Sequence, residues 1–129
     1  MNKHLLAKVY ARVELESAVL SASQAQLTTL LFDGVLNALA RASLSMQSND
    51  IEAKGAMIAK AVSVIDSGLI QSLEPFADEP LAKQLVSLFH YIIQQLLLAN
   101  LHNNLEKIEH CRGLLQTIAE AWQLSQVKK

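Results

Sequence analysis

The side chains best suited to chemistry lie near the end of this sequence, where His102, Glu106 and His110 fall at four-residue intervals and Cys111 follows. On a helix that spacing can bring ligands to one side, and zinc accepts imidazole, carboxylate and thiolate together. A structural zinc site wants four closed ligands, and no second ligand cluster stands elsewhere to complete one. Glu106 with His110 reads more simply as an exposed i, i+4 pair. Cys111 falls on the apolar side and reads as a small core residue rather than a reactive thiol. Di-iron chemistry in a helical bundle needs Glu-x-x-His pairs. No glutamate here has a histidine three residues on. No metal and no other cofactor is expected.

Histidine phosphotransfer is the next chemistry to weigh, because such domains are helical bundles with a His-x-x-Lys-Gly pattern. His110-Cys111-Arg112-Gly113 puts glycine at the third position with no lysine, and His90-Tyr91-Ile92-Ile93-Gln94 departs further. Serines are plentiful, but none sits in a glycine-rich elbow, and no phosphate-cradling loop occurs. Asp33-Gly34 lies inside a helical pattern, where glycine costs about 1 kcal/mol relative to alanine. Close helix packing against the missing side chain is the expected reason for that glycine, with Asp33 a helix-surface or groove-rim carboxylate. The chain is not expected to be an enzyme.

The elements that carry these residues are helices. Among 129 residues, 51% are hydrophobic but only 5% aromatic, so the apolar content is mostly Leu, Ala, Ile and Val. Two prolines and four glycines leave little punctuation for a many-turned fold. A net charge of −1 disfavours a nucleic-acid binder, which usually carries a strong basic footprint. One cysteine excludes an internal disulfide and fits a reducing compartment. No signal peptide is visible, and the apolar stretches, broken by Asp33, Arg41 or Gln94-Gln95, look too short to span a bilayer. A cytoplasmic protein without membrane insertion is expected.

Periodicity and capping predict an all-α, antiparallel up-down four-helix bundle. Ser23 with Gln26 makes a capping-box start for a helix over residues 24–47, and Asn49 with Glu52 starts a second over 51–73. Pro80 opens a third running to Leu101, and Asn103 with Glu106 starts the last. Residues 23–125 form the bundle. Residues 1–22 form an additional short helical segment, whose Leu5, Leu6, Val9, Tyr10 and Val13 make an apolar ladder of their own. The third helix is the anomaly: Leu81, Leu85, Val86, Leu88, Phe89, Ile92, Ile93, Leu96 and Leu97 fill about half its circumference. Tyr91, Leu98 and Leu101 interrupt what remains polar. One core needs a stripe little wider than about 100°, so something must cover the surplus.

The run Leu30-Leu31-Phe32-Asp33-Gly34, the pairs Leu88-Phe89 and Tyr91-Ile92, and the stretch Leu96-Leu97-Leu98-Ala99-Asn100-Leu101 occur in a telling order. Adding Tyr10 and the ending Ile118-Ala119-Glu120-Ala121-Trp122, the set resembles the flagellar secretion chaperone family FliS. The similarity spans about Tyr10 to Trp122. That resemblance implies a cytoplasmic bundle that binds the disordered C-terminal segment of flagellin, prevents early polymerisation and aids delivery to the flagellar type III export apparatus. It also implies an N-terminal segment lying over the apolar surface that flagellin uses. Candidate groove residues are Ile58, Val62, Ile65 and Leu69 on the second helix and Leu88, Phe89 and Ile92 on the third, with Leu6 and Tyr10 as cover. The family often has a basic pair where Gln94-Gln95 stands here. A phosphotransfer-like bundle and a structural homo-oligomer are the competing readings, and a monomer or weak homodimer is expected when the chain is free.

Overall fold

The computed structural model describes the backbone of residues 3–127 and the side chains of residues 23–126. Four α-helices account for most of it: α1 (Lys3–Gln47), α2 (Ile51–Val64), α3 (Pro80–His102) and α4 (Leu105–Val127). A π-helical turn, Ile65–Ile70, prolongs α2, and a 3-10 turn, Glu74–Phe76, leads toward α3. No strand occurs among the described residues. The architecture is the expected all-α bundle. Each helix packs against the two next to it around a ring, α1 with α2 and α4, α3 with α2 and α4. Contacts pair late residues of one helix with early residues of the next, as in Tyr91 with His110 and Gln95 with Lys107, so these neighbours run antiparallel.

The N-terminal residues depart from expectation. They are helical, but they continue directly into the first bundle helix, giving one element of 45 residues, about 68 Å at 1.5 Å per residue. Ser23 and Gln26 start nothing. A capping box begins a helix only where the preceding chain cannot continue one, and residues 3–22 hold no proline or glycine and many strong helix formers.

Two further boxes are displaced by one residue, for one reason. Asn49 and Asn103 adopt left-handed backbone, φ 60° and 53°, and each closes the preceding helix. The N–H of Asp50 returns to the Ser45 carbonyl at 2.8 Å, and that of Asn104 to Ala99 at 2.9 Å, the six-to-one bond of a Schellman end. The residue after each asparagine then caps the next helix. Asp50 Oδ1 accepts from Ala53 N–H at 3.1 Å and Asn104 Oδ1 from Lys107 N–H at 3.1 Å.

Both connections lie at one end of the bundle, and Lys54 laces that end together. Its side chain is 4% exposed, and Nζ donates to the Asn100 carbonyl at 3.0 Å and to Asn103 Oδ1 at 3.1 Å. A cation at the carbonyl end of a helix also meets the favourable end of its dipole.

The core is aliphatic. Val35, Leu39, Ala42, Ala61, Ile65, Ile92, Leu96, Ala99, Ile108, Cys111 and Leu115 are fully buried. The π turn follows from where these residues fall. Ala61, Ile65 and Leu69 are buried and Leu73 packs partly against them, four residues apart each time. At about 100° per residue each step overshoots a turn by about 40°, so three would carry Leu73 some 120° off the stripe. Underwinding into i→i+5 pairing takes up that drift.

α3 also corrects the reading of its own polarity. By length and composition it is apolar enough to cross a membrane. Gln94 and Gln95 do not interrupt it because they carry no charge. In the bundle its Phe89, Ile92, Leu96 and Ala99 are core residues.

Glycine placement differs from expectation too. Nothing lies within 4 Å of where a Cβ on Gly34 would sit, so no helix packs there. The close approach is at Gly68, whose added Cβ would lie 2.8 Å from Leu31 Cδ2. Gly34→Ala is therefore expected to raise stability by about 1 kcal/mol. Gly68→Ala gains nothing or loses, because Leu31 must shift. Urea unfolding of the two variants checks the contrast.

Candidate functional site

Five of the seven groove candidates are interior: Ile58 and Leu69 are 1% exposed, Phe89 2%, Ile65 and Ile92 0%. Val62 and Leu88 are half-buried. These two sit on different seams. Val62 is seven residues after Gly55, which faces Asn100 of α3. Leu88 is seven before Gln95, whose Oε1 accepts from Lys107 Nζ of α4 at 3.0 Å. The seven residues thus do not line one opening in this state. Leu6 and Tyr10 lie outside the residues whose side chains are described.

The exposed apolar surface lies elsewhere. On the outer face of α3, Leu97, Leu98 and Leu101 are 53%, 38% and 74% exposed, and with Gln94 they stand at i, i+3, i+4, i+7. A second strip lies on α1, where Leu27 and Leu30 are exposed beside half-buried Leu31 and Gly34. α1 and α3 are not neighbours in the ring, so the strips look out from different sides. The signal for the α3 strip was the interruption of its polar face by Leu98 and Leu101.

A third feature is a cleft of about 440 Å³ at the end opposite the asparagine turns. Ile70, Gln71 and Leu73 form one wall, Ala82, Lys83, Val86 and Ser87 the other, with Glu74 and Ala77 between. Phe76, on the 3-10 turn beside it, is exposed.

The polar groups act as ties within the bundle. Buried Ser43 donates to Glu109 Oε1 at 2.7 Å, and the Arg112 guanidinium contacts both Glu109 oxygens at 2.9 Å. These bonds, Ser43's first, hold the Glu109 carboxyl below its usual 4.5. Trp122 Nε1 donates to Thr29 Oγ1 at 3.1 Å, fastening the far end of α4 to α1. Cys111 faces inward, with Sγ 3.8 Å from the Ile92 carbonyl, and desolvation raises its thiol pKa to about 11. Neighbouring His110 instead packs edge-on against Tyr91 at 6.4 Å. The adjacent histidine and cysteine thus point apart. Among the described residues no three His, Cys, Asp or Glu side chains gather as metal ligands.

The Glu109 tie has a testable pH dependence. A carboxyl held below its unfolded pKa adds stability above that pKa, and loses it as pH falls through the depressed folded value. Ser43→Ala is expected to lower the melting temperature at pH 7, and the gap to the parent chain should narrow as pH drops below 4.5. Thermal melts from pH 7 to 3 check this.

Comparison with known proteins gives a consistent result. The family described as "Flagellar protein FliS" matches residues 6–129. The chain is 46% identical over 118 residues to the flagellar secretion chaperone FliS of Escherichia coli K12, covering 92% of this chain and 87% of that protein. It is 47% identical over 115 residues to the flagellar secretion chaperone FliS of Salmonella typhimurium, covering 89% and 85%. To the flagellar secretion chaperone FliSB of Pseudomonas aeruginosa it is 33% identical, covering 89% and 90%.

Proposed function

This chain belongs to the FliS family of flagellar proteins, and from that premise we propose that it is a cytoplasmic export chaperone for flagellin. It binds the disordered C-terminal region of flagellin, keeps it from polymerising early and aids its delivery to the flagellar type III export apparatus. Its matched relatives are named chaperones, a role without catalysis. The observation that carries the reading is the row of exposed leucines, Leu97, Leu98 and Leu101, on a helix whose inner side is already filled by Phe89, Ile92 and Leu96.

A guest that covers these leucines removes apolar surface without disturbing the core. Each leucine fully buried is worth about 1.5–3 kcal/mol. A disordered guest must also offset the ordering of its own chain, and so needs a large wrapped area. Strips on two sides of the bundle suit an extended, wrapping segment better than one helix in one groove. In this reading Ile58, Ile65, Leu69, Phe89 and Ile92 are the packed backing of the surface. Val62 and Leu88 are its half-open seams.

Co-purification with flagellin, full length and lacking its C-terminal region, tests the function: full-length flagellin is expected to be retained and the shortened form lost. Equal retention of both contradicts tail binding. The double variant Leu98→Gln, Leu101→Gln should weaken binding at least tenfold, about 1.4 kcal/mol or more, with an unchanged melting temperature. Ile92→Ala should instead lower stability by about 2–5 kcal/mol.

A further inference from the structure

The π turn touches more of the bundle than its six residues suggest. It packs against both α1 and α3. On the α1 side, Leu31 lies so close over Gly68 that a Cβ there would sit 2.8 and 3.1 Å from its two methyls. On its other side the turn ends at Ile70, the first residue of the 440 Å³ cleft, and Gln71 and Leu73 continue the cleft wall. Beyond it the backbone leaves regular helix at Leu73, and residues 74–81 are all exposed. One underwound turn thus stands between a tight contact with α1 and a loosely held cleft wall.

A π turn is an α-helix carrying one residue too many, usually as a single turn and frequently at functional sites. Two registers are open to it. In the observed one, Leu69 is buried and Leu73 partly so. In plain α-helix, every residue after the turn rotates by about 100°. Gly68 and Ser72 then move toward the stripe that Ala61 and Ile65 define, and Ile70 and Leu73 leave their places in the cleft wall. The α register has better backbone pairing and a poorer core. The π register has the reverse. Opposed terms of this kind make a bistable element rather than a rigid one.

We propose that the turn Ile65–Ile70 is a two-register hinge, held underwound by the seating of Leu31 on Gly68, through which displacement of α1 reshapes the cleft between Ile70–Leu73 and α3. The hinge is a property of the free bundle and does not depend on the identity of the guest. It makes α1, the 45-residue helix, the lever and the α2–α3 cleft the responding surface.

Amide hydrogen exchange of the full chain tests it, comparing the parent with Gly68→Ala, Leu31→Ala, the double variant, and a deletion of exposed Ser67 that removes the extra residue. In the parent, residues 66–72 should exchange at least tenfold faster than residues 56–61 of α2. Deleting Ser67 should slow residues 66–72 at least tenfold, because the turn becomes ordinary helix with Leu69 and Leu73 still in place. Gly68→Ala should speed exchange at residues 66–72 and 27–34 together, and Leu31→Ala added to it should reverse that. Parent exchange across 66–72 as slow as in 56–61 would overturn the proposal. So would a Ser67 deletion that leaves local rates unchanged or speeds them. A Gly68→Ala effect confined to one of the two segments, or not reversed by Leu31→Ala, would break the coupling.

Discussion

Burial of one aliphatic stripe per helix, and no more than one, governs this bundle. Helices packed in a ring can each turn only part of their surface inward. Here that part is filled by Val35 and Leu39 of α1, Ile58 and Ala61 of α2, Ile92 and Leu96 of α3, and Ile108 and Leu115 of α4. Every apolar residue beyond the stripe must face out. Among the residues whose side chains are described, α3 has the most left over, so its surplus leucines are a geometric consequence of a closed interior rather than an opening in it. The same constraint bends α2 into the π turn, where four-residue spacing would otherwise carry Leu73 off the stripe.

The two ends of the bundle are built differently. At one, two left-handed asparagines and two side-chain caps close the helix connections, and Lys54 binds the end of α3 to the start of α2. At the other, an underwound turn, a 3-10 turn and exposed Phe76 surround a cleft. Low local packing and exposed backbone are the features expected where a protein opens first.

Much of this fold was legible in the sequence. Four helices, their antiparallel pairing and the inward position of Cys111 follow from periodicity, short connections and an apolar face. The misplaced details share one cause, since they depend on how two elements meet. Asn49 and Asn103 look like caps until the left-handed turn is seen to hand that role to Asp50 and Asn104. Gly34 and Gly68 are alike in sequence, yet only Gly68 meets a neighbour. Lys54 sits on the buried stripe of Ile58 and Ala61, where its charge gives no hint that α3 supplies its acceptors. Nor can pattern separate a residue facing the core from one facing a guest. Ile92 and Leu98 are equally apolar, and only packing puts the first inside and the second on the surface.

The central claim is that a flagellin C-terminal segment lies on the surplus leucines of a bundle whose core is already complete. Methyl NMR of the chain, titrated with that segment, tests it most directly. The account predicts large shifts and new contacts at Leu97, Leu98 and Leu101, while Ile92, Ile65 and Ile108 keep their core contacts with one another. Contacts from the guest to Ile65 and Ile92, with the α3 leucines unmoved, would contradict it.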